Sequence, residues 1–188
     1  MSKKDSLLVY VAGFVGNLGT KYLIERKKDI LLSRFSENYL EESFTLLEDG
    51  INPSLFSFCS IVDSEDIGRG GLLSALWKIC ERNNWGLKYS LRDVPIYQCT
   101  IEVANFFDIN PYRLSTYNAK IIVTDAFIQA EKRYIVNGMN GVSCIGTITN
   151  DKKRIRIDSE VESFLTKDYK DEIDNIIPNF SKKYNAKL

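Results

Sequence analysis

Histidine is absent from all 188 residues, and this absence removes more chemistry than any other feature of the composition. Without an imidazole there is no Ser-His-Asp or Cys-His nucleophile and no His-containing zinc site. Any catalysis would rest on carboxylates, lysines, tyrosines, cysteines or groups belonging to a ligand. An excess of one charge is missing too, because 25 Lys and Arg balance 25 Asp and Glu. The chain therefore lacks the basic field that drives non-specific nucleic-acid binding. The short clusters Lys27-Lys28, Lys152-Lys153-Arg154 and Lys182-Lys183 read as solvated faces. Cysteine is sparse and unpaired in pattern: Cys59, Cys80, Cys99 and Cys144 form no C-x-x-C, and three of them sit among apolar neighbours. That spacing reads as buried thiols in a reducing compartment. Long apolar runs are also missing, since the polar start Met1-Ser-Lys-Lys-Asp5 precedes only a short run to Phe14. The expectation is a cytoplasmic protein with no signal peptide, anchor or membrane span.

What is present is core material. Hydrophobic residues make up 44% of the chain and charged residues 27%, ordinary globular usage for one domain. Leu7 to Gly13 reads as a buried strand, and Lys21 to about Phe35 as an amphipathic helix. Ser36 caps a second helix that Gly50 stops. Leu55 to Val62 reads partly as strand, Leu72 to Arg82 as the clearest helix, and Gly86 to Tyr89 as a short strand. A helix is expected from Pro95 to Phe107, a turn at Asp108 to Arg113, a strand at Lys120 to Thr124, and a helix from Ala126 to Val136. Val142 to Thr149 and Arg154 to Asp158 are expected to form a hairpin across Asn150 to Lys153. From Glu160 the chain turns into a charged tail whose last residues, Ser181 to Leu188, read as frayed. Alternating strands and helices without repeats or linkers predict an α/β (α+β) fold, a layered α/β/α domain with a mixed sheet.

Two glycine-rich loops each join a strand reading to a helix reading. Asp63 to Gly71 reads as one of them, and it ends in Asp66-Ile67-Gly68-Arg69-Gly70-Gly71 ahead of the clearest helix. Glycines there permit positive φ and close backbone approach, and the helix start offers free N–H groups at a positive dipole end. Arg69 adds a guanidinium fork for phosphate, and Asp66 a carboxylate for a ligand hydroxyl or a metal-bound water. The same residues equally describe a tight turn with Arg69 solvated or paired to Asp66, and both readings stay open. The other loop, Gly13-Phe-Val-Gly16-Asn17-Leu18-Gly19-Thr20, matches neither the P-loop nor G-x-G-x-x-G. Read by residues alone, it is at least as well described as a flexible strand exit.

Several segments then fall in one register. Asp66-x-x-Arg69-Gly70-Gly71-Leu72-Leu73-x-Ala75-Leu76, followed by Cys80-Glu81-Arg82-Asn83-Asn84-Trp85-Gly86, resembles the C-terminal domain of the aminoimidazole ribonucleotide (AIR) synthase, or PurM-like, superfamily. It is most similar to the hydrogenase-maturation, HypE-like branch. Val94-Pro95-Ile96, Phe107 to Leu114, Ile121 and Ile145-Gly146-Thr147-Ile148-Thr149 follow in the same order, and Gly16-Asn17-Leu18-Gly19-Thr20 resembles the family's Gly-x-x-Gly element. The likeness covers roughly Leu7 to Phe164.

The resemblance implies a division into residues 1–50, an N-terminal strand and helices; 51–166, the AIR synthase-related core; and 167–188, the charged tail. It implies Gly16, Asn17, Gly19, Asp66, Arg69, Gly70 and Gly71 as contacts to a phosphorylated ligand, with no catalytic residue and no metal ligand among them. Relatives hold ATP and magnesium chiefly through an N-terminal domain that has no counterpart here. ATP and magnesium are therefore expected only with a partner domain. Departures are also legible. Gly68 stands where relatives often carry Thr, Glu65 replaces a common His, and Ala186-Lys187-Leu188 lacks the reactive terminal cysteine of the hydrogenase-maturation proteins. Two functions follow. One is a domain that binds a phosphorylated small molecule, or completes an ATP-dependent site with a separately encoded N-terminal half. The other is a catalytically inactive, regulatory module that self-associates as a homodimer. Neither reading involves nucleic acid or membrane.

Overall fold

Leu8–Ala12, the apolar run LVYVA, forms strand β1 in a computed structural model that describes residues 7–48, 61–125, 135–136, 139–158, 161–167, 170–178 and 180. The helices α1 (Asn17–Leu31) and α2 (Glu37–Leu46) follow, the second capped by the Ser36 side chain, which accepts from the Tyr39 N–H. Then come β2 (Ile61–Asp66), α3 (Gly71–Asn83), β3 (Gly86–Tyr89), α4 (Gln98–Phe106), a 3-10 turn at Pro111–Arg113 and β4 (Lys120–Thr124). The short strands β5 (Ile135–Val136) and β6 (Met139–Asn140) pair only with each other. The remaining elements are β7 (Val142–Thr149), β8 (Arg154–Asp158), β9 (Val161–Phe164) and a single helical turn, α5 (Ile173–Ile176).

Seven strands form one mixed sheet in the order β2-β4-β1-β7-β3-β8-β9. Every pairing is antiparallel except β3 with β8, so the architecture is the α+β class with a mixed sheet that the element pattern predicts. β1 sits between β4 and β7. Its residues Val9 and Val11 point into a core with Leu72, Leu76 and Ile79 of α3, while Tyr10 and Ala12 on the opposite face are also buried. A strand buried on both faces reads as a continuous apolar run. A second cluster joins α1, α2 and α4 through Leu23, Leu31, Leu40, Tyr97 and Val103, with Phe14 stacked on Tyr97 at 4.1 Å.

Three expectations are corrected. The acidic stretch Asp63 to Asp66 belongs to strand β2 rather than to a loop. Asp63 and Glu65 share a face of that edge strand, and Arg82 of α3 bonds both, at 2.9 and 2.7 Å, so the charges are met by an exposed ion network. β7 and β8 are not a hairpin: β3 lies between them. A four-residue connection can cross two strand spacings of about 4.8 Å each, and here it passes over the start of β3, where the Leu87 N–H donates to Lys153 O at 2.7 Å. Gly86 makes that passage possible, because a Cβ there would lie 2.6 Å from Asp151 Oδ1. Ile135–Val136 is strand rather than the end of a helix, since it pairs with Met139–Asn140; residues 126–134 and the Asn137-Gly138 stop lie outside the described residues. Within the charged tail, Asp171, Ile173 and Phe180 are buried. Residues 181–188, Gly50 and Leu55 to Ser60 lie outside the described residues.

Cys80 and Cys99 are buried free thiols, and Cys144 is half-buried; Cys59 lies outside the described residues. Burial pushes the Cys80 thiol up to about 11 from its ordinary 9.0, and the Tyr89 hydroxyl up to about 12 from 10.0. Both folded values are raised, so the folded state favours the protonated forms. Their contribution to stability is complete below about pH 9 and is lost as pH rises through about 11 and 12. We expect an alkaline unfolding transition above pH 9, with Cys80 unreactive toward a thiol reagent until it occurs. Circular dichroism and thiol titration across that range check both outcomes.

Candidate functional site

The two glycine loops meet. What joins them is the segment Ser115 to Tyr117, which enters β4 after the 3-10 turn. On one side, Gly16 N–H donates to Thr116 Oγ1 at 2.8 Å and Gly19 N–H to Ser115 O at 2.9 Å. Asn17, 2% exposed, clamps Tyr117 twice: its Nδ2 donates to Tyr117 O at 3.0 Å, and its Oδ1 accepts from Tyr117 N at 2.9 Å. The same Oδ1 accepts from Leu18 N–H at 2.8 Å. An α-helix start leaves its first N–H groups without intrahelical partners, and in α1 those of Leu18 and Gly19 are satisfied inside the protein. On the other side, Thr116 N–H donates to Gly68 O at 3.1 Å.

α3 starts differently. Gly70, its N-cap, has φ 77 and the following Gly71 φ 65. That left-handed pair lets the chain turn from β2 into the helix directly against the 3-10 turn: a Cβ on Gly71 would lie 2.5 Å from Tyr112 O and 2.8 Å from Leu114 O. The Gly70 N–H points at a carboxylate, Asp171 Oδ2, at 3.0 Å. Asp171 is 1% exposed and also accepts from Ser115 N–H at 3.3 Å, from Ser115 Oγ, and from Ile173 N–H at 3.3 Å. A buried carboxylate is stable only when its oxygens are this fully bonded, and the positive end of α3 adds to the attraction. The helix terminus therefore holds an anion, and the anion is the chain's own.

The residues around it carry the same pattern. Arg69, about half exposed, pairs with Asp174 at 2.7 Å, and Arg113 meets Glu172 at 3.4 Å. The acidic run Asp171-Glu172-Ile173-Asp174 thus lies over the start of α3. Asp66 points away: 80% of its side chain is exposed, and it pairs with Lys120 across the β2–β4 edge at 2.8 Å. Of the residues singled out by sequence, the structure brings Gly16, Asn17, Gly19, Gly70 and Gly71 to one seam, sets Arg69 at its surface, and puts Asp66 on the sheet edge. Gly68 faces open space, with nothing within 4 Å of a Cβ built on it. Sequence reasoning missed Ser115, Thr116, Tyr117 and Asp171. The adjacent hydroxyls of Ser115-Thr116 just before a strand were the available signal, but their partners lie about a hundred residues away.

Among the described residues, no group of three or more Asp, Glu, Cys or His side chains comes together to hold a metal ion. These residues do not by themselves fit the magnesium that the resemblance implies, and no step is derived through it. Among the same residues no helix is long and apolar enough to cross a membrane.

No protein-family model and no curated protein matches the sequence. Solved structures do match in shape. E. coli HypE, a hydrogenase maturation protein, superposes with a TM-score of 0.65 at 14% identity, over 91% of this chain and 52% of its own. A HypE structure in complex with ATP gives 0.63 at 16% identity, over 85% and 50%. Thiamine monophosphate kinase from Aquifex aeolicus gives 0.53 at 13% identity, over 80% and 52%. The chain therefore shares the fold of these HypE and thiamine monophosphate kinase structures, and it spans about half their length.

Proposed function

We propose that this domain binds a phosphorylated ligand as one half of a two-part, ATP-dependent site, the other half coming from a separate domain or chain. The observation that carries the reading is Arg69, standing exposed beside a helix terminus whose first N–H already attracts a carboxylate. The Arg69–Asp174 pair is exposed enough to be worth at most about 1 kcal/mol, so a phosphate, which takes a guanidinium fork bidentately, would displace Asp174 at little cost. Gly68 leaves backbone beside Arg69 uncovered. Gly16, Asn17 and Gly19 then act by position: they hold the 115–117 segment against the start of α3, and the ligand touches Gly68 and Arg69. Support from shape comes from the HypE structure in complex with ATP, which shares the fold over half its length. ATP and magnesium would be held only once the second half is present.

Calorimetric titration of the chain with magnesium-ATP, ADP and AMP tests this, repeated on Arg69→Ala. Saturable binding that weakens about tenfold or more in the variant, the loss expected for a charge-assisted contact, is the expected result. Absence of binding by the folded chain to all three nucleotides, alone and mixed with a candidate second half, contradicts it.

A second reading is a self-associating regulatory module without chemistry. The observation that favours it is Asp171, which seals the Gly70 N–H from within. Sedimentation equilibrium separates the two readings, since this one requires a homodimer.

A further inference from the structure

Beyond the glycine seam, a cavity of about 160 Å³ opens between the sheet and the 3-10 turn. Strand register builds its floor. Tyr89 of β3 lies opposite Arg156 of β8, and Arg156 lies opposite Ser163 of β9, so three neighbouring strands set these side chains in one row. Arg113 and Leu73, from the 3-10 turn and the first turn of α3, line the other side.

We propose that this cavity is a second anion site, which takes the phosphate of a small phosphomonoester. Two guanidiniums, Arg113 and Arg156, line it from different elements, while their carboxylate partners Glu172 and Asp158 are not among its walls. Among the described residues the lining therefore carries guanidinium charge from two elements and no carboxylate. Arg156 Nε lies 2.9 Å from Asp158 Oδ2 without a hydrogen bond to it, so charge alone holds the pair, and this contact does not use the terminal Nη1 and Nη2. Those two nitrogens are the ones that grip a phosphate in parallel. Arg113 meets Glu172 at 3.4 Å, longer than the 2.7–2.9 Å usual for a charge-assisted bond. Ser163 adds a hydroxyl.

The tetrahedral shape of phosphate suits donors converging from several directions, whereas a planar carboxylate is satisfied by one fork. Size sets the class of ligand. A cavity of roughly this volume accommodates a molecule the size of benzene, which encloses a phosphate with a few further atoms and leaves anything larger to project out. Phe164, 70% exposed on the edge strand, offers an apolar face to the part of the ligand that projects out.

The test is NMR titration of the isotope-labelled full chain with inorganic phosphate, methyl phosphate and acetate. The Arg side-chain Nε and the backbone amides of Ser163 and Leu165 serve as reporters. The expected result is a saturable shift of the Arg156 Nε and Ser163 signals with both phosphates. Arg156→Gln is expected to weaken that binding about tenfold or more. If Arg156→Gln fails to fold, Ser163→Ala takes its place with a smaller expected loss. No saturable shift in the cavity overturns the assignment, as does unchanged affinity in either folded variant. Acetate binding as tightly as phosphate overturns the phosphate class. Shifts confined to Arg69 and Gly70 overturn this inference but leave the proposed function standing.

Discussion

Replacing Asp171 with alanine is expected to destabilise the fold by about 3 kcal/mol, within the 2–5 kcal/mol seen when one partner of a buried charged network is removed. The side chain is almost wholly buried and accepts from Gly70 N–H, Ser115 N–H, Ser115 Oγ and Ile173 N–H. Deleting it orphans two amides and a hydroxyl where the α3 start meets the 115–117 segment, and releases the chain that carries Ile173 into the α1–α2–α4 core. Asp171→Asn restores one acceptor and is expected to recover part of the loss. Urea denaturation with linear extrapolation measures both. A loss within about 0.5 kcal/mol, the range of ordinary surface substitutions, would mean that this segment is not seated as described.

Gly71→Ala is expected to cost at least about 3 kcal/mol, from a left-handed backbone and a clash added together. The residue has φ 65, and its new Cβ would press on Tyr112 O at 2.5 Å and Leu114 O at 2.8 Å. Both contacts are backbone, so neither can swing aside. Gly68→Ala, three residues earlier, meets nothing within 4 Å and is expected to shift stability by less than about 0.5 kcal/mol. Comparing the two by denaturation separates a glycine required by packing from one that leaves a surface open. Equal costs would show that the loop is held by something other than its approach to the 3-10 turn.

These two variants also mark where sequence was informative and where it was not. Strand β1 and helix α3 were legible because their patterns are local: a short β-branched run ended by glycine, and an apolar stripe at helical spacing. The seam residues Gly16, Asn17, Gly19, Gly70 and Gly71 were found through their spacing and a family resemblance. That Leu18 and Gly19 N–H groups are satisfied inside the protein was not legible, because their acceptors include Ser115, which is distant in sequence. Strand order failed for the same reason. β7 and β8 look like a hairpin until β3 is placed between them, and only the missing side chain of Gly86 hints at the crossing. Asp63 to Asp66 was misread because an acidic stretch beside glycines reads as loop, whereas Arg82 pairs with Asp63 and Glu65, and Lys120 with Asp66, along the strand edge. Asp171 was invisible within an ordinary charged tail. Its burial depends on meeting a helix terminus and Ser115 together.

The Arg69 and Gly70 corner carries the functional reading, and it can be observed directly. In an NMR titration of the full chain with magnesium-ATP, together with a candidate second half, the account predicts saturable shifts centred on the Gly68 and Gly70 amides and the Arg69 Nε. It also predicts that in Arg69→Ala the Gly68 and Gly70 shifts require about tenfold more nucleotide or beyond, while the rest of the spectrum stays native. Unmoved Gly68, Arg69 and Gly70 signals at a nucleotide concentration that saturates the second half would contradict it.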